Sequence, residues 1–366
     1  VITPRPAAGP SRPDRRTDRR TVAGPDAALG VVIVNFRGAD DTIECLESLM
    51  RSTVALRIVV VENGSGDDSA QKLRDWAAGR YRPAPASDTM AVFTVPPLPK
   101  PVTMVEMPAS AVSDAPGAVA PLTLILSDDN LGFAGGNNLG LRLLASDRRL
   151  RHFWLLNNDT VVAPDAPAAL LRRMDATPDI GMCGTVVCHY WQPDRLQALN
   201  GYVFNKYTGA GRAIGGEELA AIAYSPQDVA DATDFVLGAS LAVSRPFLSE
   251  VGPMAEDYFL YFEEIDWAVR NRRRGTNAFV TGFAHGANVY HKAGRAIGSR
   301  SLTAARSAFS EYWLARSRLR FTARFFPWLW PLHWLLCWAM LGRRLIRRQF
   351  ANAGALARAA LGRPFR

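Results

Sequence analysis

At 366 residues, with 48% apolar and 10% aromatic side chains, the chain can bury a full core, which excludes a disordered protein and one that needs disulfides to fold. Its net charge of +9 sits at the ends: residues 1–28 hold six Arg against three Asp, residues 300–366 hold thirteen Arg against a single Glu, and the stretch between is acidic. The basic ends suit a membrane surface, and no nucleic acid is expected as a partner.

Residues 1–28 lack a secretory-type apolar segment and, being rich in Arg, Pro and Asp, read as a disordered basic arm. The main domain follows over 29–299. The run GVVIVNF (30–36) and then DDTIECLESLM, with Ile43, Leu46, Leu49 and Met50 at helical spacing, predict strand then helix. RIVVVEN (57–63) is a second strand, and the GSGDDS turn after it supplies caps for a helix around 69–78. Residues 80–121, with nine prolines and neither a helical nor an alternating period, read as a mobile insertion. The alternation resumes with LTLILSDD (122–129), a Gly-rich turn, a helix start at 139–144, and HFWLLNND (152–159). Apolar strands alternating with helices predict an α/β fold whose doubly wound, mostly parallel sheet is covered on both faces. In such a sheet ligands bind outside the carboxyl ends of the strands, where Asn35, Glu62, Asp128, Asp129 and Asp159 fall.

Beyond Pro164 the pattern is mixed, with short strands near 181–187 and 235–243 and a helix through 263–274. Cys45, Cys183, Cys188 and Cys337 form no C-x-x-C pair and read as reduced core residues. Cys183 and Cys188 precede His189, which leaves a metal site conceivable, yet a buried strand accounts for them. From Ser301 the composition turns to Trp, Leu and Arg. Residues 325–341 carry no formal charge but include Pro327, Pro331, His333 and four Trp, and Arg343, Arg344, Arg347 and Arg348 follow. This predicts a helical, membrane-associated tail over 300–366 that lies in or on lipid; a terminal hairpin buried against the domain is the alternative.

Five motifs in order, VVIVNFRGADDTIECLESL, VVVENGSGDDS, DDNLGFAGGNNLGLRLL, FWLLNNDTVV and FLYFEEIDWAVRNRRRG, resemble the inverting glycosyltransferase family 2, in particular its bacterial rhamnosyltransferase-like members. The resemblance runs over about 30–291, interrupted at 80–121. It implies a GT-A fold, a nucleotide-binding half joined to an acceptor-binding half. It also implies a donor such as a dTDP- or UDP-sugar, plausibly dTDP-L-rhamnose, and a saccharide or lipid-linked saccharide acceptor at the cytoplasmic face of the bacterial inner membrane, reached as a peripheral or monotopic protein.

Carried over residue by residue, the resemblance implies that Asn35, Phe36 and Glu62 receive the nucleotide base, with Glu62 standing where the family usually has Asp. It puts Asn130, Gly132, Gly135 and Asn137 at a strand-to-helix turn whose backbone N–H groups approach the donor phosphates. Asn157, Asn158 and Asp159 occupy the place of the D-x-D motif, so Asp159, joined by His291, would hold a divalent cation (Mg2+ or Mn2+) against the leaving diphosphate. In FEEIDW the resemblance maps the base onto Glu264, again a Glu for an Asp, with Glu263 as a supporting carboxylate. Acidic residues also favour any helix N-terminus. Gly238, Ala239 and Asp266 fall on the acceptor side, Asp266 as a structural anchor. A transferase for another sugar, one acting on a polyprenyl phosphate, or a non-catalytic sugar-nucleotide-binding membrane scaffold are the alternatives.

Overall fold

The structure, a computed structural model, describes residues 28–114, 117–293 and 306–365; the arm expected over 1–28 lies, but for Ala28, outside them. β1 (Leu29–Asn35), β2 (Leu56–Asn63), β4 (Leu122–Ser127) and β5 (His152–Asn157) are the expected apolar runs, and they pair in parallel in the order β4-β2-β1-β5. Successive residues of a strand point to opposite faces. Leu29, Val31 and Ile33 therefore join Ile43, Leu46 and Leu49 of α1 (Ala39–Leu49) and Leu73 and Trp76 of α2 (Ser69–Ala77), while Val32 joins Leu139, Leu143 and Leu144 of α3 (Gly132–Ser146) in the opposite layer. Gly136 and Gly140 set α3 close to β1: a Cβ built at either would lie 2.8 Å from Val34 Cγ1 or 2.5 Å from Val32 Cγ1.

The described residues of the insertion pack against the domain. β3 (Val105–Pro108) pairs parallel to β4 as the sheet edge. Buried Glu47 accepts from Trp76 Nε1 (2.7 Å), Leu98 N (2.8 Å) and Lys100 Nζ (2.9 Å), and Phe93 stacks on Tyr290. The prolines restrict the unfolded chain, which lowers the entropy cost of fixing this stretch in turns that carry no sequence period.

The second half makes the sheet mixed. β7 (Ile180–His189) runs parallel to β13 (Val280–His291). β12 (Ser240–Ser244) lies antiparallel between β5 and β7, β6 (Thr160–Val162) pairs antiparallel with β13, and β8 (Leu196–Leu199) with β7. A small antiparallel sheet, β10-β9-β11, is built from β9 (Gly201–Asn205), β10 (Ala210–Ala213) and β11 (Phe235–Val236). Helices α4 (Ala166–Ala176), α5 (Pro226–Ala232), α6 (Arg245–Val251) and α7 (Glu263–Arg272) complete this half.

The tail forms α8 (Ala308–Phe325), α9 (Trp330–Ile346) and α10 (Phe350–Ala360). α8 is bound to the domain: Ser317 Oγ donates to Leu260 O at 2.8 Å, and Arg324 pairs with Asp257 and Asp266. Among the described residues no helix is long and apolar enough to cross a membrane. α9 buries His333 and Cys337 but leaves Leu335 58% and Ile346 84% exposed, so one side of this helix is packed and the other bare.

Candidate active site

The ends of β1, β2 and β5 are tied together by one buried polar chain. Asn35 Nδ2 donates to Glu62 Oε2, whose other oxygen accepts the Ser65 N–H at 2.8 Å. Thr42 Oγ1 donates to Asn35 Oδ1 (2.7 Å) and accepts from Asn158 Nδ2 (3.1 Å). Glu62 is thus held rigidly at the floor of the strand ends, with Phe36 half-buried beside it and under the Arg37 guanidinium. Each engaged carboxylate oxygen keeps a second lone pair for a further donor.

The DNLGFAGGNN turn departs from the expected phosphate cradle. Leu131 N donates to Asn63 Oδ1 (3.1 Å), Gly132 N to Asn130 Oδ1 (2.9 Å) and Phe133 N to Phe259 O (2.8 Å), so the amides that open α3 are already committed. Gly132 takes φ +71 and lies against Phe259, where a Cβ would sit 2.4 Å from its carbonyl oxygen. Gly135 and Asn137 are buried, and Asn137 Nδ2 donates to Phe133 O. Asn130, Gly132, Gly135 and Asn137 therefore form a socket for the 254–259 segment, which Asn138 also grips through Met254 O and Glu256. These three amides are therefore not free to meet an anion.

At the end of β5, Asp159 and His291 meet: His291 Nε2 lies 3.1 Å from Asp159 Oδ1 and 3.4 Å from Asn157 Nδ2, and His291 Nδ1 faces Gln197 Oε1 at 2.8 Å. Gln197 Oε1, on β8, accepts when Nδ1 carries the proton, and in that tautomer Nε2 is left as the ligating atom. Burial pushes the Asp159 carboxyl up, but His291 and Lys292 outweigh it and hold it below its usual value. Lys292 is buried in turn against Asp41, Glu44 and the Tyr190 ring. An Asp oxygen, an imidazole nitrogen and a neighbouring Asn make a donor set that fits Mn2+ or Mg2+, provided a diphosphate supplies further oxygens. Among the described residues no group of three or more His, Cys, Asp or Glu could hold a metal by itself. Cys183 and Cys188 are core thiols, pushed up by burial to about 12 and about 11, and His189 faces Glu217.

The second acidic corner opens α7. Phe259, Tyr261 and Phe262 have φ of 69°, 67° and 74°, a left-handed backbone that costs non-glycine residues on the order of 1–3 kcal/mol each. It is held by the Phe133 bond to Phe259 O, by Ser317 on Leu260 O, and by Phe259 stacking on Trp313 at 4.5 Å. This segment delivers Glu263 and Glu264. Glu263 is wholly buried, and neither carboxylate oxygen has a hydrogen-bond partner among the described residues. Burial, with the charge of Glu264, drives it well above the usual carboxylate range. Burial pushes Glu264 from 4.5 to about 7. Gly238 lies directly under it: a Cβ there would fall 1.9 Å from Glu264 Oε1.

Asp266 does not join them. It is fully buried and accepts from Tyr258 Oη (2.9 Å), Arg270 Nε (2.7 Å) and Arg324 Nη1 (2.8 Å), so it anchors α7 to α8 and cannot reach an acceptor. Ala239 instead links the two corners, because its carbonyl accepts the Asn157 N–H at 3.0 Å while the adjacent Gly238 carries Glu264. Sequence reasoning missed Gln197, which lies in no motif, and Lys292, whose only signal is that it follows His291.

No family model and no curated protein matches this sequence. Among solved structures the chain is similar to a mannosyltransferase from Pyrobaculum calidifontis in complex with GDP-Man and Mn2+, at 13% identity and a TM-score of 0.45, covering 93% of this chain and 89% of that one. It is also similar to GalNAc-T7 with UDP, GalNAc and Mn2+, at 11% identity and a TM-score of 0.49, covering 80% of this chain and 47% of that one, so it spans about half the length of the latter.

Proposed function

We propose that this chain is a divalent-metal-dependent, inverting glycosyltransferase of the GT-A type and of family 2. It would move a sugar, L-rhamnose by the sequence resemblance, from a dTDP- or UDP-activated donor to a saccharide acceptor. The observation that carries the reading is the Gly238–Ala239 turn, which joins a carboxyl poised near neutrality, Glu264, to the Asp159–His291 pair at the strand ends.

In this mechanism Asp159 and His291 hold the cation, with Gln197 fixing the imidazole. When bound, the cation neutralises the charge of the departing nucleotide diphosphate. Glu264 takes the proton from the acceptor hydroxyl as its oxygen attacks the anomeric carbon, and a pKa near 7 matches that task at neutral pH. Buried Glu263 stays neutral, so the negative charge of the corner rests on Glu264. Direct displacement with one base inverts the anomeric centre and needs no covalent intermediate. The bare, Trp-flanked face of α9 with its arginines supports peripheral attachment at the cytoplasmic membrane face.

The test is turnover of dTDP-L-rhamnose and UDP-sugars with Mn2+ or Mg2+ and a saccharide acceptor, with the product's anomeric configuration read by NMR. Inverted product that disappears with chelator and in Glu264→Gln is expected. Full transfer by Glu264→Gln, or retention of configuration, would sink the mechanism.

A further inference from the structure

The β9–β10 hairpin borders a groove of about 680 Å³ lined by Lys206, Tyr207, Arg212, Asp234, Arg272 and Phe326. Three of these side chains are cationic and one is acidic. Asp234 is already engaged, one oxygen accepting the Phe204 N–H at 2.7 Å and the other facing Arg272 Nη1 at 3.5 Å. Lys206 and Arg212 are exposed and have no ion pair among the described residues. Such a groove suits a ligand with several anionic oxygens, such as a phosphate or diphosphate ester.

Its position gives that anion a role. A Cβ at Gly211, in the groove lining, would come within 3.1 Å of both the Phe235 and Tyr202 rings, which stack on each other at 5.2 Å. Phe235 opens β11, and Gly238, two residues past that strand, lies against Glu264 Oε1, so one short strand joins the groove lining to that carboxyl. The groove belongs to the small sheet, whereas Asn35, Asn157 and Asp159 stand at the strand ends of the large one. An anion here is therefore on the acceptor's side of Glu264 and is not the donor diphosphate.

An apolar track leaves the same groove. Phe326 contacts Trp328, ring centroids 5.8 Å apart, and Trp328 is 68% exposed. Leu332, Leu335, Ala339 and Ile346 follow at helical spacing on the bare face of α9, beside exposed Arg343 and Arg347. The hairpin is fixed to this helix, where His333 Nε2 lies 2.9 Å from Lys206 O.

We propose that groove and track together seat a lipid-linked acceptor, with its phosphate or diphosphate against Lys206, Arg212 and Arg272, its hydrocarbon along Trp328 and α9, and its saccharide directed toward Glu264. The acceptor role rests on the glycosyl-transfer reading; the amphiphile site does not. Equilibrium binding of a short-chain isoprenyl diphosphate to the full chain, without donor or divalent cation, tests the site alone.

The double variant Lys206→Ala/Arg212→Ala is expected to bind it about tenfold more weakly, because two charge-assisted contacts are lost. Trp328→Ser is expected to weaken isoprenyl diphosphate several-fold, on the order of one exposed aromatic contact, and to leave inorganic pyrophosphate unchanged. Undiminished binding in the double variant, or equal wild-type affinity for inorganic pyrophosphate and the isoprenyl ester, overturns the proposal. Because binding is read without turnover, a chain that binds the amphiphile yet transfers no sugar refutes the functional reading and leaves this site standing.

Discussion

Two corners of the candidate site bury carboxylates and treat them in opposite ways. At the end of β5, Asp159 faces His291 and has Lys292 behind it, and together they outweigh burial and hold the carboxyl below its usual value. At the start of α7, Glu263 and Glu264 have no ion pair among the described residues, burial outweighs the backbone hydrogen bonds that oppose it, and both acids rise. The first corner keeps its carboxyl charged, which suits the proposed cation; the second raises its acids, which suits the proposed base. The sharpest way to break this contrast is Glu264→Gln, which keeps shape and removes the base. Transfer is expected to fall by about 10²–10⁴-fold in kcat with donor affinity unchanged, as initial-rate kinetics and donor titration would show.

Gln197→Leu addresses the other corner. Without its acceptor, His291 loses the fixed tautomer, and metal affinity is expected to fall by about 10–100-fold while the pH profile stays in place, measured as Mn2+ activation curves.

The wild-type pH dependence separates the corners further. Glu264 must be ionised to act, so the rate is expected to drop about tenfold per unit below a pH of about 7. Stability should run the other way. The folded-state value of Glu264 lies above its unfolded one, so the folded state binds the extra proton between 4.5 and about 7, and stability falls as pH rises through that window. Asp159 has the reverse sign, contributing stability above its unfolded value and losing it as pH falls through the folded one. Urea titrations of wild type and Glu264→Gln at pH 5 and 8 would expose the first effect as a gap that opens only at the higher pH.

The framework was legible because its information is local. Residues such as Val31, Val32, Ile58 and Val59 lie in runs that only a sheet covered on both faces accommodates, and Asn35, Glu62 and Asp159 end those strands by position alone. The insertion was not legible, since two of the groups that hold it, the Glu47 carboxylate and the Tyr290 ring, lie far away in sequence. The turn at 130–137 misled for a related reason. Glycine and asparagine there do open a helix, but the sequence does not reveal that the carbonyl of Phe259 arrives to take an amide. The motif reads Asp266 as an anchor, but only the fold supplies its partner Arg324, fifty-eight residues on.

The smallest expected effect tests whether the two corners share only a scaffold. At Gly140, remote from both acids, an added Cβ would press on Val32 Cγ1 at 2.5 Å, and helix and strand would have to part slightly. Alanine gains some helix propensity, worth about 1 kcal/mol, but overpacking a buried contact costs about 1–3 kcal/mol, so the balance falls on destabilisation. Gly140→Ala is therefore expected to lower the urea midpoint modestly while leaving the pH of half-maximal rate and the Mn2+ activation constant where they were. A shift in one constant and not the other would mean that α3, through its grip on the 254–259 segment, tunes the Glu264 corner and is more than packing. Equal shifts in both would mean that the corners are mechanically coupled through β1, and the contrast between them would then belong to the sheet as a whole.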